Sequence, residues 1–243
     1  MSKKVRVGIS IGDINGIGME VIIKTFLDKR MQELCIPVIF GSSKVASFHR
    51  KAMGIEDFSF NVIEIPSKAN NKKVNLINCW KEEAKITLGE NTAEGGKFAF
   101  KSLEAATKAL QKGEVDVLVT APINKQNIQS DSFQFPGHTE YLAKKDKGDA
   151  LMLMLSDSMR IGVVTGHLPL EQVSTNISQE KILEKLRLLN NSMQKDFSIR
   201  RPKIAVLGLN PHAGDQGLLG KEEDDIINPA LQRVKEENIL SFG

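Results

Sequence analysis

The stretch from Gly95 to Val119 narrows the fold more than any other part of the chain. Ala99, Leu103, Ala106 and Leu110 recur at helical spacing, so a helix over Gly95–Lys112 has one apolar face, and Gly113 ends it. Val115-Asp-Val-Leu-Val119 follows at once and reads as a buried strand. A helix handing over to such a strand is the βαβ rhythm, which builds parallel sheets covered by helices. The alternation recurs on either side. Val5–Ile11 is a strand, with a helix over about Met19–Arg30 whose buried side is expected to use Val21, Ile22 and Leu27. Pro37–Phe40 is a strand and Ser43–Met53 a helix, with Val45 and Phe48 inward and His49, beside Arg50 and Lys51, at the surface. Phe60–Ile65 and Val74–Ile77 are weaker strand candidates, and Trp80 has no companion motif.

Further along, Ala150–Leu155 and Arg160–Val164 are strands joined by the brief turn Ser156-Asp-Ser158, which predicts a hairpin. Ser178 caps a helix with Ile182, Leu186, Leu189 and Met193 on its inner face. A strand over Ile204–Leu209 and a last helix over about Glu222–Glu237, burying Ile226, Ile227, Leu231 and Val234, complete the pattern. The expected fold is therefore α/β, with a mixed sheet flanked by helices.

Composition excludes several classes. In 243 residues, 41% hydrophobic and 26% charged, the formal net charge is only +3 and the basic residues are scattered, so no nucleic-acid or membrane surface is expected. Cys35 and Cys79 fall in no metal or redox spacing. No apolar run approaches the ~20 residues of a membrane span. Asp13 interrupts the first apolar run too early for a signal peptide, so a cytoplasmic, soluble protein is expected.

Chemistry concentrates where strands end. Pro211 lacks the N–H a central strand needs, so the run Ile204–Leu209 must stop at Asn210-Pro-His212, ahead of the glycine-rich Ala213–Gly220. Ile161-Gly-Val-Val-Thr-Gly-His167-Leu-Pro169 has the same shape, and Phe135-Pro-Gly-His138-Thr-Glu140 follows another apolar strand. Three of the four histidines thus lie just after strands, where open α/β sheets bind ligands. Imidazole is the commonest transition-metal ligand, but a shared site would have to be assembled by the fold, and three unrelated loop histidines are the alternative. The glycines of Gly12-Asp-Ile-Asn-Gly16-Ile-Gly18, between strand and helix, admit two readings: an anion cradle, or a tight turn needing positive φ. Their spacing is not the dinucleotide fingerprint.

Taken together, Gly12-Asp-Ile-Asn-Gly-Ile-Gly, Thr120-Ala-Pro-Ile-Asn-Lys125, Pro136-Gly-His-Thr-Glu140, His167-Leu-Pro-Leu170 and Leu209-Asn-Pro-His-Ala-Gly214 with Gly220-Lys-Glu-Glu223 resemble the 4-hydroxythreonine-4-phosphate dehydrogenase family of vitamin B6 biosynthesis, in order along the whole chain. The resemblance implies an isocitrate/isopropylmalate-dehydrogenase-like fold of two interleaved subdomains beside an active-site cleft, and a homodimer. It implies NAD-dependent oxidation and decarboxylation of 4-phosphohydroxy-L-threonine to 3-amino-2-oxopropyl phosphate. It assigns a divalent metal (zinc, magnesium or cobalt) to His167 and His212, and substrate contact to His138 and Thr139. Such a metal would polarise the substrate hydroxyl and stabilise the enolate left by CO₂. Lys125 suits a proton relay or an ion pair equally, so no catalytic acid or base is assigned.

The sequence departs from the family at Ile14 and Met19, where prolines are usual, and at Asp215, usually glutamate. The family's third metal histidine, further substrate contacts and much of the NAD site would lie beyond Gly243, which reads as a C-terminally truncated chain. Two alternatives to the favoured activity follow. One is a relative acting on another phosphorylated hydroxy acid such as a 4-phospho-threonate; the other is a non-catalytic fragment.

Overall fold

The computed structural model describes residues 4–146 and 148–243, and the chain divides into two compact units, Met1–Gly148 and Asp149–Gly243. The first unit runs β1 (Val5–Ser10), α1 (Gly18–Leu27), a short α2 (Met31–Leu34), β2 (Cys35–Gly41), α3 (Ser43–Ala52), β3 (Asn61–Ile63), β4 (Asn75–Asn78), α4 (Ala93–Gln111), β5 (Val117–Thr120) and α5 (His138–Asp146). Its five strands form one wholly parallel sheet in the order β3-β4-β2-β1-β5.

The alternation of side chains along β2 explains the layering. Ile39 joins Met19, Ile22, Ile23 and Phe26 of α1 and Val45 of α3 on one face. Val38 and Phe40 point the other way, onto Ala106 and Ala109 of α4. Both faces of β2 are thus dry, and each such side chain contributes about 1.5–3 kcal/mol by leaving water. Ser102 fastens α4 to the sheet: its buried hydroxyl donates to Phe40 O at 2.5 Å and accepts the Ile11 N–H at 2.9 Å. Trp80 packs into the first face, its ring 4.7 Å from that of Phe98.

Three local expectations are corrected. The buried stripe of α1 is Met19, Ile22, Ile23 and Phe26, at i, i+3, i+4 and i+7, which leaves Val21 and Leu27 in solvent. Phe48 is likewise exposed, whereas His49 is only 3% exposed. Position 49 lies one helical turn after Val45 and shares its inward face, while Arg50 and Lys51 project from other faces. The His49 Nε2 lies 2.8 Å from Ile14 O, which can only accept, so Nε2 carries the hydrogen.

The second unit runs β6 (Leu153–Leu155), β7 (Arg160–Gly162), α6 (Gln179–Lys195), β8 (Lys203–Ala205), α7 (Asn228–Glu236) and β9 (Leu240–Phe242). The predicted hairpin forms, with β6 antiparallel to β7, but as a two-stranded sheet of its own. β8 and β9 pair in parallel as another. Ser178 caps α6 by accepting the Lys181 N–H at 3.2 Å. Ile182, Leu183 and Leu186 of α6 then bury against Ile204 of β8 and Ala230, Leu231 and Val234 of α7. β8 is shorter than the apolar run suggests. Val206 still donates to Phe242 O, but the Leu209 and Asn210 N–H groups turn to a glutamate side chain instead of a neighbouring strand.

Leu186, 5% exposed, tests this core. Leu186→Asp buries an unpaired charge and should cost about 3–5 kcal/mol, comparable with the whole stability of a small unit. Thermal melting that matches the parent would mean α6 does not present this face.

Candidate active site

The first unit offers one place for chemistry on topological grounds. From β1 the chain crosses over α1 to β2 on one side, while α4 delivers β5 to the other side of β1, so the connections diverge between these neighbouring strands. In such sheets ligands bind outside the carboxyl ends of the strands at that divergence. The two loops that emerge there are Ile11–Ile17 and Ala121–Gln129, and they are bound to each other. The Asp13 N–H donates to Pro122 O at 3.0 Å, and the Asp13 carboxylate accepts the Asn15 N–H at 2.9 Å and the Asn127 side-chain amide at 2.8 Å. A Cβ added to Gly95 would stand 2.5 Å from Asp13 Oδ1, so the carboxylate lies against the first turn of α4, where the helix dipole favours negative charge, while Thr92 caps that helix by accepting the Gly95 N–H at 3.1 Å. Asn15 donates to Glu90 O at 3.2 Å and to Thr92 Oγ1 at 2.8 Å, and accepts the Thr87 N–H at 2.9 Å.

Gly12 has φ +68°, as the tight-turn reading requires, and a Cβ there would run into the Pro122 carbonyl; one on Gly18, whose φ is not positive, would run into Ile11 O, so that glycine makes room for backbone.

His138 opens α5, the helix seated on α4 through Tyr141. Its Nε2 is buried and has no hydrogen-bond partner, and Tyr141 OH shares that condition. Burial, and then the positive charge of Lys125, hold the His138 imidazole below its ordinary value of 6.5, so the ring is neutral at pH 7. The Lys125 side chain reaches this spot: its Cε lies 3.9 Å from where a Cβ on Gly137 would be. Thr139 is exposed beside it. The neighbouring helix supports the position through a cluster of Phe100, Phe133, Phe135 and Tyr141, whose ring centroids lie 5.3–6.0 Å apart in the contacting pairs.

His167 and His212 belong to the second unit and are both exposed. His167 stands at the apex of a tight turn closed by Leu168 N–H donating to Gly166 O at 2.9 Å. The strands that lead to the two histidines, β7 and β8, border one largely apolar cavity of about 560 Å³ floored by Ile182, Leu186 and Leu189 of α6. Among the described residues no group of three His, Cys, Asp or Glu side chains stands together to hold a metal ion.

The backbone at His212 is unusual. Six consecutive residues lie in the left-handed region: His212 (φ 52°), Ala213 (52°), Gly214 (81°), Asp215 (47°), Gln216 (58°) and Gly217 (89°). Left-handed conformation costs an ordinary residue about 1–2 kcal/mol, so His212, Ala213 and Gln216 are each held against their preference. The backbone just before them is bound by Glu223, 5% exposed, at the start of a π-helical turn (Glu223–Ile227) ahead of α7. Its Oε1 accepts the Leu209 and Asn210 N–H groups, both at 2.7 Å, and its Oε2 accepts Asn210 Nδ2 at 2.9 Å. Glu222 Oε2 takes the same amide at 2.7 Å. The backbone N–H and side-chain amide of Asn210 hold the Glu223 carboxyl below the usual carboxylate range.

Sequence reading passed over Asp13, Asn127, Asn210 and Glu223 as functional supports. Asp13, Asn210 and Glu223 fall within the motifs Gly12-Asp-Ile-Asn-Gly-Ile-Gly, Leu209-Asn-Pro-His-Ala-Gly214 and Gly220-Lys-Glu-Glu223 but had no role of their own there, and Asn127 carried no signal.

Comparison with known proteins gives these features a context. Residues 33–243 match the family described as "Pyridoxal phosphate biosynthetic protein PdxA". A protein from Bacteroides thetaiotaomicron named 4-hydroxythreonine-4-phosphate dehydrogenase is 45% identical over 242 residues, covering 99% of this chain and 66% of its own length. One from Oceanobacillus iheyensis, named provisionally for D-threonate 4-phosphate, is 32% identical over 248 residues, covering 100% of this chain and 74% of its own. The crystal structure of a 4-hydroxythreonine-4-phosphate dehydrogenase from Burkholderia phymatum superposes with a TM-score of 0.87 at 28% identity, over 100% of this chain and 74% of that one. The chain thus spans about two thirds to three quarters of the length of these relatives. By motif order, sequence identity and fold, the chain belongs to the PdxA family of pyridoxal phosphate biosynthetic proteins.

Proposed function

We propose that the chain carries the oxidoreductase activity its relatives are named for: oxidation of 4-phosphohydroxy-L-threonine by NAD, with loss of CO₂, to 3-amino-2-oxopropyl phosphate. The observation that carries this reading is the buried Nε2 of His138, left without a partner beside Lys125. An unmet polar atom inside a protein costs roughly 1–3 kcal/mol, a cost that a bound hydroxyl or phosphate oxygen would remove. Being neutral, the His138 ring can either donate or accept through that nitrogen, while Lys125 supplies positive charge to an anionic substrate. Thr139 adds an exposed hydroxyl at the same helix start.

The donor chemistry of His167 and His212 fits a divalent metal, since imidazole ligates zinc and cobalt readily. Two imidazoles do not complete a coordination sphere, so substrate oxygens, water or further protein donors would supply the rest. Such an ion would act as a Lewis acid toward the substrate hydroxyl. The work of the chain's own residues is to bind and orient: His138 and Lys125 at the substrate, His167 and His212 at the ion. A homodimer in the cytoplasm is the expected state. No helix among the described residues is long and apolar enough to cross a membrane.

A second reading has one observation behind it, the relative named for D-threonate 4-phosphate. NADH formation by the whole chain, with a divalent metal and either substrate, separates the two. Turnover of 4-phosphohydroxy-L-threonine is expected, with His138→Ala raising KM by roughly tenfold or more through loss of a hydrogen bond to a charged group. Preference for D-threonate 4-phosphate would replace the first reading, and NAD reduction with neither would end both.

The His138 titration gives a separate check. Because its folded-state value is depressed, the unfolded chain binds the proton more tightly. Stability should therefore rise with pH through the window just below 6.5 and fall on acidification. Lys125→Met removes one of the two causes, so the His138 ring resonances should titrate at higher pH than in the parent. An unchanged midpoint would place Lys125 away from the ring.

A further inference from the structure

We infer that Glu223 is a positioning residue: by clamping the base of the left-handed turn His212–Gly217, it presents the His212 imidazole to a divalent cation. This deepens the proposed function and rests on the reading of His212 as a metal ligand.

Three observations converge on the carboxylate. First, the turn is one a free chain would leave, since four of its six residues are not glycine yet all have positive φ. Its internal hydrogen bonds are few and local: Asp215 N–H to His212 O, Gly217 N–H to Gly214 O, Leu218 N–H to Asp215 O and Leu219 N–H to Gly214 O. None anchors the turn to the rest of the unit. Second, Glu223 meets both the approach to the turn and its middle. Oε1 binds the two N–H groups immediately before Pro211, and a Cβ on Gly214 would stand 3.1 Å from Oε2 and 2.5 Å from Gly220 O. Third, the helix that bears Glu223 starts with a π-helical turn, a form often found at functional sites because the extra residue re-aims a side chain. Here the result is a carboxylate 5% exposed with protein donors on both oxygens, one of them shared with Glu222.

His212 therefore sits on a backbone whose shape is fixed from below. Groups that orient metal ligands matter because a ligand that must first find its geometry binds more weakly. The role asked of Glu223 is to settle that geometry before the ion arrives.

Glu223→Gln is the discriminating change. Glutamine keeps one oxygen for the Leu209 and Asn210 N–H groups, but its amide nitrogen would face Asn210 Nδ2, donor against donor. Cobalt(II) titrated into the whole chain, followed by calorimetry and by broadening of the His212 ring resonances, reads the effect. Glu223→Gln should melt close to the parent yet bind cobalt(II) roughly 10–100-fold more weakly, with His212→Ala abolishing the broadening. Adding Ala213→Gly to Glu223→Gln should restore part of the affinity, because glycine occupies positive φ without strain. If His212→Ala weakens binding while Glu223→Gln does not, or if the glycine gives no rescue, the positioning role is wrong and the metal reading stands. If cobalt(II) binds the parent and His212→Ala alike, or does not bind the parent, the metal reading fails and the role falls with it. Should Glu223→Gln not fold, Glu222→Ala decides. It removes only the second acceptor of Asn210, so a smaller loss of affinity supports the clamp and parent-like affinity overturns it.

Discussion

The first unit hangs on the hydrogen bonds of one buried aspartate. Asp13 joins the loop after β1 to the loop after β5 through its own N–H and through Asn127, and its carboxylate lies at the positive end of α4. Those are the two strands between which the chain connections diverge. Without that tie, the loops would have to satisfy buried backbone groups individually, in a region where the glycines have already allowed the main chains to meet. The position of Lys125, and with it the environment of His138, follows from where the second loop is held.

The second unit uses the same device with opposite emphasis. Glu223 also gathers backbone N–H groups at the end of a strand, but what it restrains is a conformation that most residues avoid. In one unit the carboxylate secures a comfortable turn against its neighbour. In the other it opposes a local preference, and the left-handed residues are the result. Strain of this sort persists only where the surroundings over-determine it. The two donors of Asn210, shared among three carboxylate oxygens of Glu222 and Glu223, meet that condition.

Most of the layering was legible in the sequence because it rests on periodicity. The α4 and α6 faces follow from spacing alone and the hairpin from a short polar turn, whereas α5, read as a loop around His138, and the short α2 and β9 carried no such pattern. What spacing misjudged was phase. Val21 and Leu27 are apolar, but the burying stripe of α1 runs through Met19, Ile22, Ile23 and Phe26, one step around the helix. His49 was misplaced by its charged neighbours, although its distance from Val45 already put it inside. The histidines after the strands were visible as a pattern, whereas their supports were not. A hydrogen bond between residues 13 and 127, or between 210 and 223, leaves no trace in local periodicity, because either partner alone is an ordinary polar residue in a loop.

The strand order has a consequence for how the first unit comes into being. β1 is an interior strand of the sheet, with β2 on one side and the edge strand β5 on the other. Its first partner ends at Gly41, but the strand that covers its other edge ends only at Thr120. At a synthesis rate of about 5–20 residues per second, the intervening stretch takes roughly 4–16 seconds to emerge from the ribosome. During that interval an apolar parallel strand offers an open edge to any passing chain, the situation that invites mispairing between nascent polypeptides. The helix that arrives just before β5 carries Ser102, whose hydroxyl takes up the first free N–H beyond β1, that of Ile11. Nascent chains that end between β4 and β5 therefore leave that edge of β1 and the Ile11 N–H without their partners.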